Sequence, residues 1–326
     1  MNKRTTRRSG SEAAINLSQK RSWHILISEN WADALDPIVR QRFMLGASRR
    51  PSLIERLFNV QGSMRSYEQG TNVGALGVDM WNQWENSGTV GQADFDQGYK
   101  TTFTHKEYPL DVVIQRKLLA DQMWNEVFNI PTQMGDSAAL KREVDAASVF
   151  NNAFSASFVG GDAVALCSDS HPYSPQKTGT TQDNNYALAL NQDNLETIAQ
   201  AMMAFTDDNG NKMAVTPNIL LVPIALRDQA HRITASAQVP GSANNDANLQ
   251  ASLGWQVITW HYLTDTNAWF VIDGNLMKQS LLWFNREPLT INPKVEDKTL
   301  VATWRAYMRY SFGFSDWRWV AGSNPS

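Results

Sequence analysis

The sequence predicts a mixed α+β fold, and three stretches carry that reading. In residues 299–320, TLVATWRAYMRYSFGFSDWRWV, the side chains Leu300, Ala302, Trp304, Ala306, Met308, Tyr310, Phe312 and Phe314 take every second position. Period two describes one long strand with one buried face. In residues 137–158, Leu140, Val144, Ala147, Phe150, Phe154 and Phe158 recur at spacings of three and four, the period of a helix. Ser137 is placed to cap that helix and Gly160-Gly161 to stop it. Residues 186–274 alternate short helical and strand patterns and form an α/β layer of their own.

A chain of 326 residues is long enough for a sizeable core and divides into two subdomains. Its 19% of charged residues is slightly low for a globular surface, and with 12 Trp this suggests a surface covered by neighbouring copies. The one cysteine, Cys167, excludes an internal disulfide framework and a Cys-rich zinc site, and fits folding in a reducing cytoplasm. No run of 18 apolar residues is present, so no membrane span is predicted. The basic N-terminus lacks an apolar segment after it and is not a secretory signal. Residues 1–21 hold six basic side chains against Glu12, a local +5 on a chain of net −3. Such an arm meets nucleic acid or an acidic partner, or stays solvated.

Taken in order, residues 1–22 are too polar to hold a core. Trp31, Leu35, Ile38 and Val39, then Leu53, Leu57 and Phe58, mark short helices, with Pro37 and Pro51 as early-helix or breaker residues. Residues 65–104 carry Gly70, Gly74, Gly77, Gly88, Gly91 and Gly98, with Trp81, Trp84, Phe95 and Tyr99 between them. Alternation in the flanks predicts a long two-stranded hairpin with a Gly-rich tip. A lone ribbon is marginal in water, so this one must lie on another surface, such as another subunit. A helical stripe is predicted from about Val112 to Phe128, broken by Pro131. Residues 160–190 read as a polar loop. In the following layer, helices are predicted at 194–205 and 224–233, strands at 219–222, 255–260 and 268–272, and a turn at Asp273-Gly274. Strands at 281–285 and 289–295 lead back to the first layer.

Enzymatic signatures are weak. Gly70, Gly74 and Gly77 have the wrong spacing for a dinucleotide loop, and no helix pattern follows them. Cys167 and His171 lack a second ligand pair for zinc. They offer one nucleophile–base arrangement, as do Ser168 or Ser170 with His171, but no G-x-S-x-G elbow and no third partner mark it. No catalytic, cofactor or metal residue is assigned.

Five stretches carry a resemblance: CSDSHPY at 167–173 with GTTQD at 179–183, PNILLVPIALRD at 217–228, NAWFVID at 267–273 and YSFGFSDWRW at 310–319. With the order of elements, the chain resembles the major capsid proteins of tailed phages, most closely the phage Mu-type major head subunits. The resemblance implies the Hong Kong 97-type capsid fold. Its parts would be an N-terminal arm and short helices (1–59), an E-loop hairpin (60–106), a peripheral domain with a long spine helix (107–185), an axial domain (186–274) and return strands of the peripheral domain (275–326).

It further implies a non-enzymatic shell protein that self-assembles into hexamers and pentamers of an icosahedral head around double-stranded DNA. The implied location is the virion, after assembly in the host cytoplasm. Implied partners are copies of itself, a separate scaffold protein (only a short arm precedes the helices), a portal and decoration proteins. DNA would be held non-specifically. Trp81, Trp84, Phe95 and Tyr99 are expected at inter-subunit contacts. Lys3, Arg4, Arg7 and Arg8 are expected against neighbours or DNA. Lys100 and Lys106 lie in the hairpin region, but no partner Asn is assignable, so no cross-link is predicted. The alternatives are an encapsulin-like compartment shell, or a soluble hydrolase built on Cys167 and His171.

Overall fold

The computed structural model describes residues 31–73, 97–115, 117–118, 121, 123–238, 247–296 and 301–325. Arm residues Lys3, Arg4, Arg7 and Arg8 and hairpin residues Trp81, Trp84 and Phe95 lie outside them. The fold is α+β, with helices α1 (Trp31–Ala47), α2 (Ile54–Leu57), α3 (Trp124–Asn151), α4 (Gln192–Met203), α5 (Arg227–Ala235), α6 (Leu249–Ser252) and α7 (Gly274–Ser280). The strands are β1 (Asn59–Gly62), β2 (Tyr67–Val73), β3 (Gln97–Thr104), β4 (Lys106–Gln115), β5 (His171–Ser174), β6 (Lys177–Gln182), β7 (Asn185–Tyr186), β8 (Ile219–Val222), β9 (Gln256–Thr259), β10 (Trp269–Ile272), β11 (Leu281–Glu296), β12 (Val301–Phe314) and β13 (Val320–Ser323). They form a four-stranded sheet in the order β1-β11-β12-β4, a five-stranded sheet β7-β13-β10-β8-β9, and the two hairpins β2-β3 and β5-β6. No helix among the described residues is long and apolar enough to cross a membrane.

Two compact units share the chain. The first comprises the described parts of Met1–Pro51, Tyr108–Ala139 and Leu289–Tyr307. Its core joins Leu35, Val39 and Phe43 of α1 to Val127 and Met134 of α3, and to Ile114, Ile291, Ala302, Trp304 and Ala306 of the sheet. The α1 residues are four apart and so share one helix face. Two glycines allow α1 and α3 to touch backbone to backbone. A Cβ on Gly46 would lie 2.0 Å from the Thr132 carbonyl oxygen, and one on Gly135 would lie 2.0 Å from that of Phe43. Arg50 closes the contact with a two-pronged pair to Asp136, at 2.7 Å on each prong.

The second unit comprises the described parts of Ser52–Glu107, Leu140–Pro288 and Met308–Ser326. Phe150, near the end of α3, meets Trp260, Phe270 and Trp319 at ring-centroid distances of 5.8, 5.3 and 6.0 Å. Each large side chain so buried is worth about 1.5–3 kcal/mol. Glu143 is buried yet fully used: Ser52 Oγ (2.6 Å), Leu53 N (3.2 Å) and Trp260 Nε1 (3.3 Å) all donate to its carboxylate.

The closing strand keeps its expected alternation: Ala302, Trp304, Ala306, Met308 and Tyr310 are all buried. Other expectations change. The long helix is Trp124–Asn151 rather than 137–158. Pro131 lies inside it without ending the helix, and Thr132 Oγ1 donates to the Phe128 carbonyl there at 2.9 Å. Ser137 is mid-helix and bonds back to the Met134 carbonyl. Val144 of the expected stripe is 43% exposed. Val112, Val113 and Ile114 belong to strand β4 rather than to a helix, since their β-branched side chains suit a pleated edge. The polar loop 160–190 contains the β5-β6 hairpin.

Asp273-Gly274 opens a helix rather than a turn, because Asp273 Oδ1 accepts from Asn275 N and Leu276 N. The two return strands are one, β11, running through Pro288. β1 pairs only with Leu282–Asn285, so the proline falls where no strand among the described residues occupies that side. The last strand, β13, joins the five-stranded sheet against β10 instead of extending β12.

Candidate functional site

The Cys167–His171 stretch was the one candidate for chemistry, and its geometry is structural. Cys167 is buried beside Gly322 and Phe154, so tightly that a Cβ on Gly322 would lie 2.6 Å from its sulfur. Burial pushes the thiol far above its ordinary range, which removes the thiolate that a nucleophile needs. His171 is wholly buried. Its Nδ1 lies 2.7 Å from Asp162 Oδ2, and its ring stacks on Trp317 at 4.2 Å and 14°. Ser168 Oγ and Ser170 Oγ pair with each other at 3.2 Å, and among the described residues neither bonds the imidazole. Asn184 fastens the loop. Its Oδ1 accepts from Ser168 N at 2.8 Å, while its Nδ2 donates to the carbonyls of Leu166 (2.9 Å) and Val320 (3.0 Å). Among the described residues no group of three His, Cys, Asp or Glu side chains is placed to hold a metal ion.

Beside this loop lies a cavity of about 320 Å³ lined by Tyr99, Asp162, Asp208, Asp316, Trp317 and Arg318, with others. Arg318 organises it. Its guanidinium donates to the carbonyls of Thr206 and Tyr173 (both 3.1 Å), to Asp316 Oδ2 (3.1 Å) and to Asp208 Oδ1 (2.7 Å). It also sits 5.3 Å from the centre of the Trp317 ring. Burial holds Asp208 above the usual carboxylate range, more than Arg318 beside it can offset. Cation and carboxylates satisfy one another here, which joins the β12–β13 turn to strand β5 at Tyr173 and to the segment around Thr206.

Of the expected contact residues, Tyr99 alone is described. It is half-buried on β3, against its own chain. A Cβ on Gly161 would lie 2.6 Å from Thr101 Oγ1 and 3.3 Å from Tyr99 Cβ, so glycine is what allows this approach. Burial, then the carboxylates of Asp162 and Asp208, raises the Tyr99 phenol. Partner strand β2 is almost entirely exposed from Tyr67 to Thr71. The two strands pair antiparallel, with Tyr67 opposite Thr104 and Thr71 opposite Lys100. Sequence reasoning missed the buried polar residues Glu143, Asn184 and Arg318. Only the Trp-Arg-Trp run at 317–319 signalled one of them.

Comparison with known proteins points the same way. Residues 100–323 match the family described as phage capsid protein. The capsid of cyanophage P-SCSP1u is similar in structure, with a TM-score of 0.55 and 12% identity over 85% of this chain and 89% of that one. The capsid of bacteriophage JBD30 gives 0.52 and 15% over 67% and 92%. The virus-like particle from Pyrococcus furiosus gives 0.51 and 10% over 88% and 98%. No curated protein sequence matches the chain. At these identities the likeness establishes the fold, which is of the Hong Kong 97 type. With a family match over more than half its length, the chain belongs to the phage capsid protein family.

Proposed function

We propose that this chain is a major head subunit that assembles with itself into hexamers and pentamers of a closed icosahedral shell around double-stranded DNA. The observation that carries the reading is the β2–β3 ribbon. One strand is nearly all exposed, and among the described residues the pair belongs to no larger sheet. Such a ribbon gains stability by lying on another surface, and a neighbouring copy supplies one. On this reading the segment 60–106 is the E-loop, and Trp81, Trp84, Phe95 and Tyr99 contact the neighbour. Lys3, Arg4, Arg7 and Arg8 of the arm meet neighbours or phosphate without reading sequence. Residues 107–185 with 275–326 serve as the peripheral domain and 186–274 as the axial domain.

The stretches at 167–173, 217–228 and 310–319 favour the Mu-type branch of the family. Its partners are scaffold, portal and decoration proteins, and assembly takes place in the host cytoplasm. The role is structural, without a catalytic site. Similarity to the Pyrococcus furiosus particle keeps a second reading, a compartment shell around protein cargo. Velocity sedimentation of the chain, produced with its neighbouring genes, tests assembly. Large particles or five- and six-membered rings support it, and a monomer in every preparation contradicts it. Nuclease-protected DNA inside the particles, as against a protein cargo, separates the two readings.

A further inference from the structure

A single buried chain of hydrogen bonds holds the root of the β2–β3 ribbon. His105 is the one residue between β3 and β4, and it is 6% exposed. Its Nε2 lies 3.0 Å from Ser63 Oγ, and its Nδ1 lies 2.9 Å from Ser311 Oγ on β12. Ser63 follows β1. Its Oγ donates to Glu68 Oε1 on β2 at 2.7 Å and accepts from Arg65 N at 3.2 Å. Both legs of the ribbon are therefore tied to β12 through one imidazole.

The protons can be placed. A carboxylate only accepts, so the Ser63 hydroxyl proton points to Glu68. The Ser63 oxygen then accepts from the Arg65 N–H and from His105 Nε2–H. Nδ1 carries the lone pair and accepts from Ser311 Oγ–H. One neutral tautomer thus satisfies every atom of the chain.

The charged neighbours oppose a second proton. Burial first, then Arg309 of β12, and more weakly Arg286 of β11, lower the affinity of His105 for it, while Glu68 favours it. Glu107 of β4 lies 3.7 Å from Arg309, and Arg65 lies 3.8 Å from Glu68, so each of those charges is already engaged. A proton on Nδ1 would place a buried cation near two guanidiniums and force the Ser311 hydroxyl from donor to acceptor.

We propose that Glu68, Ser63, His105 and Ser311 form a proton-operated latch, which fixes the ribbon on β12 while His105 is neutral and releases it when His105 takes a second proton. The fold holds the proton affinity of His105 below the ordinary value of 6.5, so opening takes up a proton. The latch is closed at neutral pH and above, and loosens as pH falls below that value. All four residues belong to one chain, so the device stands whether or not the chain builds a shell.

Amide hydrogen exchange of the full chain between pH 7.5 and 5, corrected for intrinsic rates, tests it. Opening of 67–73 and 97–104 should rise toward about tenfold per pH unit, while β8 and β10 stay level. His105→Gln, whose neutral amide offers both a donor and an acceptor, should abolish the dependence. Glu68→Gln removes the charge that favours imidazolium and should move the midpoint to lower pH. A ribbon no more pH-dependent than β8 overturns the latch, as does an unchanged dependence in His105→Gln. If that variant does not fold, an unmoved or raised midpoint in Glu68→Gln overturns it instead.

Discussion

Replacing Arg318 by Met keeps most of the side-chain volume and removes the charge at the centre of the cavity cluster. The guanidinium is 11% exposed, and its partners Asp208 and Asp316 are 19% and 24% exposed. Removing one partner of a buried pair costs about 3–5 kcal/mol, because the remaining charge is left without compensation. Two carbonyls, of Thr206 and Tyr173, also lose their donor. Solvent near Asp316 screens part of the loss, so about 3 kcal/mol is expected, roughly a hundredfold in the local opening equilibrium. Hydrogen exchange in β13, which begins directly after the turn, reads this at neutral pH. The sign of the pH effect follows from Asp208, whose carboxyl is already held above its ordinary range by burial and loses its cation in the variant. Lowering pH protonates it and removes the uncompensated charge, so the gap between wild type and Arg318→Met narrows through the carboxylate range. Arg318→Lys should fall between them, since an ammonium cannot reproduce the fork. A gap under about 1 kcal/mol, or one that does not change with pH, would refute the reasoning.

Gly46→Ala or Gly135→Ala places a methyl 2.0 Å from a backbone oxygen of the facing helix. Each should cost at least about 1–3 kcal/mol, read as a lowered unfolding midpoint. Glu143→Ala leaves Ser52, Leu53 and Trp260 donors without their acceptor, and should cost about 1–3 kcal/mol for each buried donor left unsatisfied, in the same assay. Cys167 should resist a thiol reagent in the native chain and react at once after denaturation, since burial keeps it protonated. Rapid native labelling would return the loop to consideration as a reactive site. Replacing residues 74–96 with a short turn should leave a folded chain, by circular dichroism, that no longer forms particles. Unimpaired particles would remove the hairpin from the contact.

Patterns that depend on one periodicity were legible from residues alone. The strand from Ala302 announced itself because alternate side chains are buried as far as Tyr310, and Ile219–Val222 because prolines fence it. The long helix was legible as a helix but not in its bounds. Pro131 reads as a breaker, yet tertiary packing of Val127 and Met134 carries the helix through it. Strand β4 misled because Val112, Val113 and Ile114 suit either period in so short a run. The hydrogen-bonded polar core was the least legible. Glu143, Asn184 and His105 carry no local signature, since partners such as Trp260, Val320 and Ser311 are far away in sequence.

Electron microscopy of the purified particles tests the central claim most directly. The account predicts closed, symmetric shells in which the segment 60–106 of each subunit lies across a neighbour. A chain that stays monomeric or dimeric at all concentrations, alone and with its neighbouring gene products, would contradict it.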